Sequence, residues 1–197
     1  SLYRRASIFS RYIFRRVGLM NLSEFTPAQS QEVIVLFRDV FSMAEGLDEG
    51  LLIGDLVADL IASTREEDLL GFVASKDEKL VGAIFLSRFF LPNDKLAFIL
   101  SPVAVATTCQ GQGVGQSLIN YGIESLQSLG VELVFTYGDP NYYSKVGFEP
   151  ISENVVKAPF ELSQPEGWLA QSLTACSIEA IDGRSRSVKA LAKAEYW

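Results

Sequence analysis

Three glycines alternate with other residues just before a predicted helix, in the stretch TTCQGQGVGQSLINYG at residues 107–122. They are Gly111, Gly113 and Gly115. The first N–H groups of a helix have no intrahelical partners and carry about half a positive charge, so a phosphate placed there is stabilised. Glycine lets the backbone approach such a ligand closely. The stretch therefore predicts either an anion site or a plain glycine-rich loop.

Two familiar phosphate-binding motifs do not fit this stretch. A Walker loop needs a lysine after its last glycine, and these residues contain none. A dinucleotide fingerprint, G-x-G-x-x-G, would place its third glycine at Gln116 or at Leu118, depending on the register. A third pattern, Q/R-x-x-G-x-G/A, is satisfied by Gln110, Gly113 and Gly115.

The surrounding hydrophobic periodicity predicts one mixed α/β domain. Strands are predicted at 21–26, 69–75, 80–90, 95–106 and 131–137, with another that begins at 147. Helices are predicted at 27–44, at 51–63 after an acidic loop at 45–50, and directly after the glycines. Strands at 155–162 and 171–181 are plausible, and 187–197 fits a helix or a strand. Because proline cannot donate to a strand ladder, Pro102 predicts a bulge or an edge in the apolar strand 95–106.

A second motif follows at the next strand, where Tyr143, Gly147 and Phe148 form Y-x-x-x-G-F. Together with the glycine pattern and the bulged strand, it resembles the GNAT superfamily of N-acetyltransferases over residues 20–150. The stretches LSPVAV and GDPNYY are most similar to a bacterial branch of predicted acetyltransferases. The resemblance implies a central mixed, mostly antiparallel sheet flanked by helices, with a splayed, bulged central strand. Residues 1–19 would be a basic extension, and 151–197 would complete the same domain.

The resemblance also implies residues that hold acetyl-CoA, used as a co-substrate without a metal. Backbone N–H groups of the loop would cradle the pyrophosphate; its residues are Gln110, Gly111, Gln112, Gly113, Val114 and Gly115. The backbone of Val103, Ala104 and Val105 would pair with the pantetheine arm as an added strand, and one of their N–H groups could stabilise an oxyanion. Asn141 would hydrogen-bond the same arm. The alternatives are an empty helix entry and an ordinary core strand.

By the family's pattern Tyr143 is the general acid. When an amine attacks the thioester, a thiolate leaves; a thiol has a pKa of about 8.5 and a phenol of about 10, so a positioned phenol can supply the proton. The alternative is a packing aromatic, which is also how we interpret Tyr142. Gly147 and Phe148 are interpreted as a turn and a core anchor.

The general base stays open. Many relatives carry a carboxylate on the central strand, whereas 95–106 has none. Ser101, Asp139 and a chain of waters are the candidates, although Asp139 could instead cap its turn. Cys109 lacks the histidine partner that a nucleophilic thiolate needs. The acidic residues at 45–50 would attract a cationic amine or form a solvated turn.

Composition excludes several classes of function. The chain has no histidine and two cysteines, which argues against a zinc site, excludes the usual His-dependent hydrolases and predicts free thiols. Residues 1–19 hold five of the 17 basic residues, leaving 12 against 24 acidic residues elsewhere. Such an acidic body repels nucleic acid. We read no membrane span in the sequence.

The resemblance thus implies an N-acetyltransferase that acetylates a primary amine, on a small molecule or a peptide, by direct attack in a ternary complex, and we expect it to be cytoplasmic. The alternative is a non-catalytic acyl-CoA-binding module. The basic leader could be an extension, a functional tail or a targeting peptide. A homodimer is possible.

Overall fold

A computed structural model describes residues 15–197, and nine strands of that range join into one sheet. The sheet order is β1-β2-β3-β4-β5-β6-β8-β7, and β9 pairs with the end of β4. The strands are β1 (Arg15–Val17), β2 (Met20–Glu24), β3 (Leu69–Lys76), β4 (Lys79–Phe90), β5 (Leu96–Val105), β6 (Leu133–Tyr137), β7 (Glu149–Pro150), β8 (Trp168–Ser172) and β9 (Arg186–Ser187). Only β5 and β6 pair in parallel; the other pairs are antiparallel. This is the mixed, mostly antiparallel sheet that was predicted.

Four α-helices in the described range flank the sheet. They are α1 (Ser30–Glu45), α2 (Leu47–Ser63), α3 (Val114–Ser128) and the single turn α4 (Pro140–Tyr143). Helices α1 and α2 pack on one face with Phe85, Phe135 and Trp168, and α3 packs on the other face with Ile84 and Phe148. The sheet therefore has a separate apolar core on each side, as a two-faced layer requires.

The predicted acidic loop at 45–50 is wrong. Helix α2 begins at Leu47, so only Gly46 separates the two helices. Asp48 and Glu49 lie in the first turn of α2, where carboxylates interact favourably with the positive end of the helix dipole. The interaction of these two carboxylates with the start of α2 thus accounts for their presence without a ligand.

Most of the remaining predicted elements are confirmed with shifts of a few residues. The β3–β4 turn is the pair Asp77 and Glu78, both with positive φ (50° and 64°). Helix α3 ends before Gly130, whose φ of 77° is the left-handed conformation common for a glycine just after a helix. Leu133 rather than residue 131 begins β6, and Glu149 rather than Gly147 begins β7.

The C-terminal predictions were less accurate. Residues 155–162 contain no strand, and the strand predicted at 171–181 is the shorter β8, shifted to Trp168–Ser172. Residues 187–197 form two 3₁₀ turns instead of a helix or long strand. Side-chain anchors hold this region: the Trp168 Nε1–H donates to Val156 O at 2.9 Å, and the Trp197 Nε1–H donates to Leu191 O at 2.9 Å. The hydrophobic periodicity of a short segment predicts helices and strands, but it cannot predict hydrogen bonds between side chains and the backbone.

The basic leader is only partly described. Residues 1–14 lie outside the described residues, so the three interpretations of the leader stay predictions. Strand β1, at the end of the predicted extension, pairs with β2 at the edge of the sheet. No helix in residues 15–197 is long and apolar enough to cross a membrane.

Candidate active site

The central strand β5 carries the predicted bulge. Its register with β4 shifts between the pairs Leu86–Leu100 and Ile84–Val103, so Ser101 and Pro102 have no partners in the β4 register. The parallel pairing with β6 runs only from Ala97–Leu133 to Leu100–Thr136. Beyond Leu100 and Thr136 the two strands are no longer paired, and we call this unpaired stretch beside β5 the β5–β6 gap.

Backbone groups of β5 face this gap. The Ala106 N–H donates to Val81 O at 2.7 Å, so it points toward β4. Because N–H and C=O directions alternate along a strand, those of Val105 and Val103 point away from β4. Ala104 pairs with Ala83 and directs its polar groups into the sheet. Val103 and Val105 can therefore accept an extended ligand as an additional strand.

The glycine stretch forms the entry to α3. Gly111 and Gly113 have φ values of 74° and 77°, a left-handed conformation that glycine adopts without penalty. The first intrahelical bond runs from the Ser117 N–H to Gly113 O at 3.0 Å, so the N–H groups of 114–116 precede it. No side chain of a described residue caps Gly113. A row of free donors at the positive end of a helix is suited to a phosphate.

The side chain of Gln110 joins this loop to β5. Its Nε2–H donates to Val105 O at 3.1 Å. The Gln112 Nε2–H donates to Thr108 O at 3.4 Å, within the loop itself. Val114 is buried in the core beneath the helix, so its backbone is the part that can meet a ligand. Gln110 thus fixes the loop against the strand that ends beside it.

Tyr143 lies where the gap begins. Its side chain is within hydrogen-bonding reach of Thr136, the residue at which β6 stops pairing with β5. The Thr136 Oγ1–H also donates to Leu100 O at 2.8 Å, across the last strand pair. Phe148 packs edge-on against the Tyr143 ring with centroids 5.8 Å apart. The phenol is therefore held beside Thr136, at the end of the β5–β6 ladder.

Burial raises the pKa of Tyr143, and the neighbouring Tyr142 and Asp139 add to the rise, while the hydrogen bond with Thr136 lowers it. The result is a pKa well above the ordinary value of about 10. The phenol therefore keeps its proton at neutral pH. Any phenol with an ordinary pKa does the same, and the raised pKa makes Tyr143 a weaker acid, so an acid role for Tyr143 rests on its position.

Other sequence candidates have clear local roles. The Asp139 carboxylate accepts the Asn141 N–H at 2.9 Å, so Asp139 caps α4. Asn141 is exposed, and its backbone carbonyl accepts the Ser144 hydroxyl at 3.2 Å.

Cys109 is a buried free thiol, and Cys176 is an exposed one. Ser101 is half-buried at the bulge.

Three residues that support Tyr143 were missed in the sequence. A Cβ placed on Gly138 would lie 2.6 Å from Tyr143 Cε2, so the ring packs directly on that glycine. The Gln171 Nε2–H donates to Val146 O at 3.0 Å and holds the turn that follows Tyr143. Thr136 is the third. The sequence does contain a sign of Gly138, because it is a glycine directly after a predicted buried strand. No sequence pattern points to Gln171 or Thr136.

Comparison with known proteins gives this architecture a class, that of an acetyl-group transferase. Residues 67–150 match the family described as acetyltransferase (GNAT) domain. The chain is 37% identical over 125 residues to the uncharacterized N-acetyltransferase YjhQ of Escherichia coli K12, covering 58% of this chain and 69% of YjhQ. It is 37% identical over 82 residues to YhbS of the same organism, covering 41% of this chain and 49% of YhbS.

Solved structures agree on the fold. The crystal structure of Escherichia coli YhbS in complex with CoA superposes with a TM-score of 0.75 at 22% identity, covering 92% of this chain and 97% of that one. A GNAT family acetyltransferase from Brucella melitensis in complex with acetyl-CoA gives a TM-score of 0.69 at 22% identity, covering 87% and 97%. The chain belongs to the GNAT family of acetyltransferases, as the sequence motifs indicated.

Proposed function

We propose that this protein transfers the acetyl group of acetyl-CoA to a primary amine by direct attack in a ternary complex. The observation that carries the proposal is the position of Tyr143, a protonated phenol at Thr136, where the β5–β6 gap begins. Two structures of similar fold are complexes with CoA or acetyl-CoA, which supports the choice of co-substrate.

The residues present fit such a co-substrate. The free N–H groups at the start of α3 suit a pyrophosphate, and the gap-facing backbone of Val103 and Val105 suits the amide-containing pantetheine arm. The acetyl thioester supplies an activated acyl carbon when it is bound. Residues expected to form the site are Val103, Ala104, Val105, Gln110, Gly111, Gln112, Gly113, Val114, Gly115 and Asn141.

Tyr143 then supplies the proton that the leaving sulfur needs. As the amine nitrogen bonds to the acyl carbon, the carbon–sulfur bond breaks and the electron pair stays on sulfur. Tyr143 donates its proton to that sulfur, and the amine loses one proton to its base. Backbone N–H groups of β5 that face the gap can stabilise charge on the acyl oxygen. Proton loss from the amine falls to Ser101 or to water, because Asp139 is engaged in capping.

A non-catalytic acyl-CoA-binding module is the second candidate. The observation in its favour is that β5 carries no carboxylate in Leu96–Val105, where many relatives place a base. The enzyme interpretation accounts for Tyr143, since a module that only binds needs no acid beside the sulfur. The two candidates differ in turnover and agree in binding.

Thiol release from acetyl-CoA, measured across a panel of primary amines, tests the proposal. We expect turnover with at least one amine, and a kcat lower by about tenfold or more in Tyr143→Phe. Tyr196→Phe is a matched control, because Tyr196 lies in a 3₁₀ turn near Asp55 and Asp59 of α2, on the opposite face from α3.

The possible results separate the candidates. Acetyl-CoA should raise the melting temperature, since a ligand of the folded state stabilises it. No shift at millimolar acetyl-CoA would contradict both candidates. Tight binding without turnover on the whole panel would favour the module, and undiminished turnover in Tyr143→Phe would remove Tyr143 as the acid.

A further inference from the structure

Tyr142 was interpreted from sequence as a packing residue, but its hydroxyl reaches the start of α3. The residue is half-buried, and its ring stands perpendicular to that of Tyr143, with centroids 5.0 Å apart. A Cβ placed on Gly115 would overlap the Tyr142 hydroxyl oxygen and would lie 3.4 Å from Val105 Cγ2. The hydroxyl therefore lies between the first turn of α3 and the last residue of β5.

The surroundings of this hydroxyl leave it free to bind a ligand. It makes no hydrogen bond to another residue in the described range 15–197. Burial raises the pKa of Tyr142, so the phenol stays protonated and can donate. The nearby N–H groups at the start of α3 are donors as well. The hydroxyl and these N–H groups lie close together, and an acceptor with several oxygens, such as a phosphate, can accept from both.

We propose that Tyr142 is a positioning residue whose hydroxyl donates a hydrogen bond to the pyrophosphate of CoA, together with the first turn of α3. The inference rests on the proposed use of acetyl-CoA. It gives the two adjacent tyrosines separate tasks: Tyr143 serves the sulfur end of the co-substrate, and Tyr142 serves the phosphate end. It also explains the glycine at 115, because any side chain there would displace the Tyr142 hydroxyl.

Calorimetric titration of CoA into the wild type, Tyr142→Phe and Tyr196→Phe tests the inference. A hydrogen bond to a charged group typically contributes enough to change affinity about tenfold or more, so we expect about a tenfold weaker Kd in Tyr142→Phe only. In turnover the same variant should show a KM for acetyl-CoA raised by about the same factor with kcat retained. Tyr143→Phe should show the opposite division, with kcat lowered and KM near its wild-type value.

A truncated ligand locates the contact. Pantetheine, which lacks the pyrophosphate, should bind the wild type and Tyr142→Phe equally in an NMR titration. If Tyr142→Phe lost the same factor of affinity for pantetheine as for CoA, the contact would lie on the pantetheine arm, and the assignment would be overturned. Equal CoA affinity in the wild type and Tyr142→Phe would overturn the role of Tyr142 while leaving the proposed function intact. A wild type that binds no CoA would overturn both.

The contact with Gly115 provides a second, structural measurement. Gly115→Ala should lower the melting temperature in the wild-type background, since the new methyl group overlaps the Tyr142 hydroxyl. In the Tyr142→Phe background that oxygen is gone, and most of the loss should be recovered. Fully additive losses would contradict the placement of the hydroxyl on which the inference depends.

Discussion

At the scale of single residues, the site depends on how closely Tyr143 is packed. Its ring rests on Gly138 and Phe148, and its hydroxyl meets Thr136 at the last rung between β5 and β6. The sequence motif singled out Tyr143 as a candidate, because Y-x-x-x-G-F is a local pattern. The motif could not identify Thr136, since that contact depends on where a parallel ladder stops.

Gly138→Ala should impair catalysis through this packing. The new Cβ would lie 2.6 Å from Tyr143 Cε2, so the ring must move. A misplacement of about 1 Å can cost on the order of 100-fold in rate, and we expect kcat to fall by about tenfold to 100-fold. Overpacking should also lower the free energy of unfolding by about 1–3 kcal/mol.

Gly71→Ala is the matched control for that variant. Its Cβ would lie 2.7 Å from Phe25 Cβ, a similar clash on β3, two strands away from β5. It should show a comparable loss of stability in urea unfolding with kcat retained. Comparable kcat in the wild type and Gly138→Ala would show that the ring position is not important for the chemistry.

At the scale of elements, α3 is bounded by two glycines with the same geometry. Gly113 at its start and Gly130 after its end both have a φ of 77°. The glycine spacing and the periodicity that follows it predicted where this helix begins, because a strong amphipathic stripe fixes its register. The α1–α2 junction was mispredicted for the opposite reason: Leu47 is 66% exposed, so it gives no core-facing signal at the first turn.

These two glycines give a matched pair of variants. Alanine at either position should lower the free energy of unfolding by about 1–2 kcal/mol, the penalty for an L-residue in the left-handed region. Only Gly113→Ala should also weaken CoA binding, by about tenfold, because it would move the N–H groups that we propose to meet the phosphate. Equal CoA affinity in Gly113→Ala and Gly130→Ala, measured by calorimetry, would argue against a phosphate site at this helix start.

At the scale of the whole molecule, residues 151–197 are built into the sheet through β8 and β9. Strand β8 lies between β6 and β7, so the order of the strands in the sheet differs from their order along the chain. No local pattern in 151–197 could predict this insertion, because the strand is short and its partners lie far away in sequence. Trp168 of β8 stacks on Phe135 of β6, with ring centroids 5.3 Å apart.

The protein should therefore unfold as a single unit. Both tryptophans, Trp168 and Trp197, lie in residues 151–197, whereas the long helices α1, α2 and α3 precede that range. Tryptophan fluorescence and far-UV circular dichroism in urea thus report on different parts of the chain. We expect coincident transitions, the signature of two-state unfolding. Separate midpoints would show that residues 151–197 form an independent unit.

The position of β8 along the chain also determines how late in synthesis the surroundings of Tyr143 can be completed. Gln171 holds the turn after Tyr143, and β7 has β8 as its strand partner. On the ribosome, residues 140–150 emerge well before residues 168–172. Until β8 has left the exit tunnel, the tyrosine-bearing turn has no scaffold on that side. In a nascent chain, Tyr143 would gain the support of Gln171 and β8 only after residues 168–172 have emerged, however early the glycine loop and α3 are formed.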